Sequence, residues 1–172
     1  MIAGLTVIPA WITPDEEARL LAVLGDGGTR KRTIDRNRIE RFGPGVAVSG
    51  YTEATRTELA IAPHLQELAD RLAALDHPAP DAVTVAWYLP GQRIKAHVDS
   101  AKAGPVISVL ALASDATMVF RSVTQPSEYR AMLFEHRSLV VMEGEARWGW
   151  SHEILPVQAE RVSIVFRRAL PP

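Results

Sequence analysis

The chain has no cysteine in 172 residues, which excludes disulfide frameworks, zinc clusters built on thiolates and iron–sulfur sites. Met1 to Ala10 is only mildly apolar, lacks a basic leader and runs directly into Thr13-Pro14-Asp15-Glu16-Glu17. Neither a signal peptide nor a transmembrane span is expected from it. Internal repeats, low-complexity tracts and linkers are also lacking, so one domain over 1–172 is expected. Net charge is −1 and the pI is near 6.5, values that do not advertise nucleic-acid binding. Together these absences suit a cytoplasmic protein. What is present, 47% hydrophobic and 23% charged residues, is enough for a soluble domain with a substantial core.

Residues 13–25 read as a helix. Thr13 serves as N-cap, Pro14 as the first helical residue and Glu16 as capping-box partner, with Leu20, Leu21 and Leu24 on one face. A second helix is expected from Pro63 to Leu75, where Leu65, Leu68, Leu72 and Leu75 recur at helical spacing before Asp76-His77-Pro78. Between them, residues 30–41 hold Arg30, Lys31, Arg32, Arg36, Arg38 and Arg41 against Asp35 and Glu40, a local charge of +4 in 12 residues. After Pro80 the texture changes to short segments rich in β-branched and aromatic residues, at 82–89, 93–98, 105–112, 117–123, 129–135, 138–142, 147–154 and 161–167. Helices followed by a run of strands predict a mainly β (α+β) fold, with helices packed against a sandwich or jelly roll.

Chemistry concentrates in W-Y-L-P-G-Q-R-I-K-A-H-V-D at 87–99. In an extended segment residues i and i+2 point to the same side, so His97 and Asp99 face one point while Val98 faces away. That supplies two thirds of a two-histidine, one-carboxylate triad for non-haem Fe(II). His152, in A-R-W-G-W-S-H-E-I at 146–154, is the candidate third ligand; the other reading is a histidine packed beside Trp148 and Trp150 in a core. In the closing segment R-V-S-I-V-F-R at 161–167, Arg161, Ser163, Val165 and Arg167 share one face, and Val162, Ile164 and Phe166 the other. The apolar face is expected on the sandwich core. The arginine face then lines the barrel interior to meet an anion such as a dicarboxylate, or forms a solvated edge.

These pieces, in this order, resemble the AlkB-like Fe(II)/2-oxoglutarate dioxygenases over Val83 to Arg168. The resemblance rests on Y-L-P-G-Q-R-I-K-A-H-V-D at 88–99, V-I-S-V-L-A-L at 106–112, G-E-A-R-W-G-W-S-H-E-I at 144–154, and the six-residue spacing of Arg161 and Arg167. It implies a double-stranded β-helix (jelly roll) with N-terminal helices packed on one sheet. Helical support and a basic substrate lid would occupy 1–80 and the catalytic core 81–168. It further implies iron on His97, Asp99 and His152, with 2-oxoglutarate and O2 as cosubstrates. Arg161 would form the salt bridge to the distal carboxylate of 2-oxoglutarate, Tyr88 would hydrogen-bond the cosubstrate from the opposite strand and Ser163 would help bind it, with Arg167 near its iron-side carboxylate and Arg147 behind the iron ligands. Family asparagines fall here on Ala86 and Ser163, and a threonine on Val165, so fewer hydrogen bonds to the cosubstrate are expected.

The same resemblance bears on substrate. The family's basic lid strand corresponds to Arg36, Arg38, Arg41 and Phe42, followed by Tyr51, suited to phosphates and a stacked base; a solvated basic hairpin is the other reading. Bacterial DNA-repair members carry an acidic residue two positions after the metal aspartate, where this chain has Ala101. The H-V-D-S-A-K and S-H-E-I-L runs look closer to a divergent branch whose mitochondrial member is thought to act on protein. Three readings stay open: oxidative demethylation of alkylated DNA or RNA, hydroxylation or demethylation of protein, and a non-catalytic binding module. A monomer that does not engage membranes is expected.

Overall fold

Two strands and two helices open the chain, and the helix ends follow from local chemistry. The structure, a computed structural model, describes residues 1–25, 37–43, 60–75 and 77–168. Most of the basic segment lies outside these, including Arg30, Lys31, Arg32 and Arg36, as does Tyr51. Strand β1 (Leu5–Ile8) precedes α1 (Pro14–Leu24). Thr13 caps α1 as the spacing predicts: its hydroxyl accepts from the Glu16 amide at 3.2 Å, while the Glu16 carboxylate accepts from the Thr13 amide at 2.6 Å. These bonds to Thr13 hold the Glu16 carboxyl below its ordinary range. Helix α2 (Pro63–Ala73) starts on Pro63 and buries Leu65, Leu68, Ala69 and Leu72.

The remaining strands are β2 (Arg38–Phe42), β3 (Ala82–Tyr88), β4 (Ile94–His97), β5 (Ile107–Leu112), β6 (Ala116–Ser122), β7 (Tyr129–Phe134), β8 (Leu139–Met142), β9 (Trp150–Ile154) and β10 (Arg161–Arg167). They form two antiparallel sheets. The larger has the order β1-β8-β5-β10-β3-β2 and the smaller β4-β9-β6-β7. A short helix, α3 (Gly144–Trp148), joins β8 to β9. The architecture is a double-stranded β-helix, mainly β, with helices against one sheet.

Two apolar clusters explain the layering. One lies between the sheets and contains Ala86, Tyr88, Ile107, Val109, Ala111, Met118, Phe120, Phe134, Val140, Met142 and Trp150. The other joins Leu20 of α1 and Leu65, Leu68 and Leu72 of α2 to the outer face of the large sheet, through Val85, Trp87, Leu110, Leu112, Leu139, Val162, Ile164 and Phe166. Strands buried on both faces read as near-continuous apolar runs, which is why I-S-V-L-A-L at 107–112 is buried at every position.

Several expectations change here. The apolar face of β10 packs under α1 and α2, not on the sandwich interior, because the helices cover the outer face and the inner face is left to the arginines. The segment 147–154 is a strand only from Trp150. Before it the chain makes the helical turn α3, closed by the Gly149 amide on the Glu145 carbonyl at 2.8 Å; aromatic content alone does not separate a short helix from a strand. Strand β1 was not anticipated, and with β2 it joins the large sheet, so the sheet draws on residues before Pro80 as well as after.

Since Ile164 is fully buried between the helices and the sheet, Ile164→Ala is expected to cost about 2–5 kcal/mol, read as a lowered urea midpoint. Thr13→Ala should cost about 1 kcal/mol by the same measurement.

Candidate active site

The inner faces of β3, β10, β4 and β9 converge on one polar cluster inside an otherwise apolar barrel. Register places Arg161 opposite Tyr88, Ser163 opposite Ala86, Val165 opposite Thr84 and Arg167 opposite Ala82. On the small sheet His97 lies opposite His152, which in turn pairs with Phe120 of β6. Ligand atoms of His97, Asp99 and His152 all lie within 4.8 Å of one another, and the two imidazole centroids are 4.4 Å apart. The alternative reading of His152 as a core histidine beside Trp148 therefore gives way to a histidine aimed at His97 and Asp99.

Three details prepare this cluster for a cation. A bulge in β4 spans Ile94 to His97, where three steps on β4 face two on β9; such bulges re-aim side chains. The bulge turns the Lys95 carbonyl toward Nδ1 of His97, 2.9 Å away. With the proton held on Nδ1, Nε2 keeps its lone pair for a metal. His152 Nε2 and an Asp99 oxygen are 3.4 Å apart. Burial, reinforced by His97, pushes the His152 pKa down to about 4, so at neutral pH this is not an ion pair. Two lone-pair donors face each other, an arrangement that a divalent ion satisfies.

Asp99 is the electrostatic centre. Burial alone would raise its pKa, but the Arg167 guanidinium, then His152 and His97, outweigh this and bring it down to about 2. Arg167 bonds the Asp99 carboxylate at 2.9 Å and the Thr84 hydroxyl at 3.0 Å. Arg147, 2% exposed, donates to the carbonyls of Gly104, Asp99 and Ser100 at 3.1, 3.0 and 2.7 Å. It thereby clamps the loop that follows Asp99. Gly104 must be glycine: at φ +83 an added Cβ would fall 2.3 Å from the Arg168 carbonyl oxygen.

Arg161 sits deeper, 1% exposed. One terminal nitrogen donates to the Ser163 hydroxyl at 2.6 Å, and its guanidinium carbon lies 4.8 Å from the Phe134 centroid and 5.8 Å from that of Tyr88. Its Nε and Nη2 are buried with no hydrogen-bond partner among the described residues. Burial lowers its pKa to about 10, so it stays cationic at neutral pH. An uncompensated buried cation with two aligned free donors is a socket for a carboxylate, and the residues present fit a dicarboxylate cosubstrate. Burial raises the Tyr88 phenol pKa, which keeps it a neutral hydroxyl beside that socket.

The lid candidates separate. Arg38 and Phe42 lie opposite Trp87 and Val83 on the helix side of the sheet. Arg38 stacks over Trp87, at 5.1 Å from the ring centroid, and pairs with Glu40. Strand alternation turns these two away from the triad. Arg41, opposite Thr84, is on the inner face. Two contributors were not anticipated. Thr84 had a signal, as the lone polar residue in A-V-T-V-A-W-Y on the same face as Tyr88. Phe134 had none, since it reaches Arg161 from the other sheet.

Comparison with known proteins agrees with this geometry. The model of the 2OG-Fe(II) oxygenase superfamily matches residues 4–167. Mouse tRNA (carboxymethyluridine(34)-5-O)-methyltransferase ALKBH8 is 30% identical over 171 residues, 92% of this chain and 25% of that protein. Mouse mitochondrial alpha-ketoglutarate-dependent dioxygenase alkB homolog 7 is 30% identical over 152 residues, 87% of this chain and 66% of that protein. The chain thus spans a quarter of the first relative's length and just under two thirds of the second's. Among solved structures, OsALKBH1 superposes with a TM-score of 0.67 at 12% identity, covering 98% of this chain and 99% of that one. A Pseudomonas putida prolyl-4-hydroxylase gives 0.65 at 17%, covering 96% and 92%. Both likenesses concern the fold.

Replacing a buried charge by an apolar side chain of similar size is often neutral or stabilising. Arg161→Met is therefore expected to melt at or above the temperature of the unliganded parent. Saturating 2-oxoglutarate should add about 2.7 kcal/mol to the parent at a hundredfold excess over Kd and nothing to the variant, as read by thermal unfolding.

Proposed function

The chain belongs to the 2OG-Fe(II) oxygenase superfamily, its domain is an AlkB-like Fe(II)- and 2-oxoglutarate-dependent dioxygenase, and we propose that it demethylates alkylated DNA or RNA by hydroxylating an N-methyl group. The observation that carries the catalytic part is the pairing of a three-donor cluster with a buried arginine holding two free donors. In this proposal His97, Asp99 and His152 hold the iron. Arg161 receives the distal carboxylate of 2-oxoglutarate, Ser163 fixes one arm of that guanidinium, and Tyr88 offers its hydroxyl alongside. Arg167 orients Asp99 and lies beside the iron-side carboxylate. Arg147 acts only through the Asp99 loop, as a positioning residue.

When bound, iron with 2-oxoglutarate and O2 supplies C–H hydroxylation coupled to conversion of the cosubstrate to succinate and CO2. The protein's part is to hold the target methyl near the triad and, through burial, to keep His152 unprotonated for ligation. A hydroxylated N-methyl group then loses formaldehyde and leaves a free amine.

Nucleic acid is favoured as substrate by Arg41, a cation on the inner face of edge strand β2 beside Thr84, which itself bonds Arg167. The tRNA in the name of mouse ALKBH8 points the same way. Protein is the alternative, and Ala101 favours it: the rim lacks the acidic side chain that would read a base. A cytoplasmic monomer completes the proposal. Among the described residues no helix is long and apolar enough to cross a membrane.

Anaerobic addition of Fe(II) and 2-oxoglutarate should give a weak visible charge-transfer band, diminished in Arg161→Ala. Incubated with an N-methylated single-stranded oligonucleotide in air, the parent should release formaldehyde and Asp99→Ala should release none. Full iron-dependent 2-oxoglutarate decarboxylation by Asp99→Ala would refute the ligand assignment. A band without formaldehyde, alongside turnover of a methylated peptide, would move the substrate to protein.

A further inference from the structure

Of the chain's four tryptophans, Trp11, Trp87 and Trp150 are 4–6% exposed, whereas Trp148 is 45% exposed. This indole is not a loose surface side chain. Its ring lies on the Arg147 guanidinium, 4.0 Å from carbon to centroid, and that guanidinium is tied down by three backbone carbonyls. The cation–π stack fixes the ring while nearly half its surface stays in water. A rigid aromatic binds at low entropic cost, because little freedom remains to be lost.

The surroundings select the kind of partner. Along the donor edge of the same guanidinium runs the loop after Asp99, where Ser100, Ala101 and Lys102 are exposed, and Val98 is 37% exposed. Lys102 sits in a 3-10 turn (Ala101–Ala103) capped by Ser100, and Lys95 is exposed on the β4 bulge. These are two of only three lysines in the chain, and no described carboxylate forms an ion pair with either. Between Gln92 and Pro105 the one acidic residue is Asp99, whose carboxylate is turned inward on Arg167. The exposed acid nearest to Trp148 in sequence, Glu145, accepts from the Trp150 indole at 3.2 Å. Cations without counter-charges beside a fixed, half-open aromatic match a polyanion that also offers flat rings.

We infer that Trp148 and Lys102 form a platform for single-stranded nucleic acid at the rim of the active site. The indole stacks on a base flanking the target nucleotide, and Lys102 meets the adjoining phosphate. This deepens the nucleic-acid reading above and rests on it. It places part of substrate recognition on the loop and short helix that also hold Asp99, rather than on the segment before β2 alone.

Acrylamide quenching of tryptophan emission tests it in the intact protein, since Trp148 is the exposed fluorophore. A single-stranded oligonucleotide carrying one N-methylated base should protect the emission from quenching. Affinity for that oligonucleotide, measured by anisotropy, should fall roughly tenfold in Trp148→Leu and stay within about twofold in Trp148→Phe, which keeps a stacking face. Lys102→Gln should reduce the slope of log affinity against log salt by about 0.7. Binding that leaves Trp148 fully quenchable, or affinities equal in all variants, overturns the platform. Equal losses in the Phe and Leu variants overturn it too, by assigning the indole to the Arg147 clamp alone. No binding of the oligonucleotide to the parent protein sinks the nucleic-acid reading itself, a result distinguishable from failure of the platform.

Discussion

The two-residue period of β10 is the constraint on which the molecule turns. Val162, Ile164 and Phe166 are driven under the helices, and that alone forces Arg161, Ser163 and Arg167 into the barrel. Burying a guanidinium without a counter-charge is worth several kcal/mol of destabilisation. The three apolar side chains opposite contribute about 1.5–3 kcal/mol each, enough to hold the arginines where water would otherwise draw them out. Stability on one face of a strand is thus coupled to function on the other.

Charge balance inside the barrel points to what the site is built to receive. Arg147, Arg161 and Arg167 are buried or nearly so, and Asp99 is the carboxylate that Arg167 pairs with. Arg167 neutralises that carboxylate, and Arg147 is occupied by carbonyls. Of the three, Arg161 keeps buried donors without partners among the described residues. A dianion completes this arrangement more naturally than a neutral ligand, and a cation at the triad strengthens the preference through its own field. The candidate metal donors His97 and His152 and the buried Arg161 belong to different sheets, so closing the barrel is what joins them.

The loop from Asp99 to Gly104 shows how one device serves two ends. Arg147 fixes the backbone of a metal-ligand candidate and at the same time supports an exposed indole. Gly104 permits the close passage against Arg168 that lets the loop reach the clamp. Rigidity in this loop comes from three charge-assisted hydrogen bonds to carbonyls rather than from regular secondary structure.

Local chemistry carried the features that could be read from the residues alone. The Thr13–Glu16 capping box, the leucine spacing of α2 and the alternation along β10 depend on neighbours within a few positions. The H-x-D pair was legible from strand alternation, whereas His152 and the six-residue arginine spacing were legible through the resemblance to the AlkB-like dioxygenases, because the topology sets β4 beside β9 and β10 beside β3, far apart in sequence. What the residues left open depends on contacts across sheets. Whether the apolar face of β10 meets helices or the sandwich, which side of β2 carries Arg38, and the approach of Phe134 to Arg161 all depend on how the layers stack. Arg147–Trp148 looked like the start of a strand until Gly149 closed a helical turn. Packing chooses between local states of nearly equal energy, and no window of sequence contains the partners that make the choice.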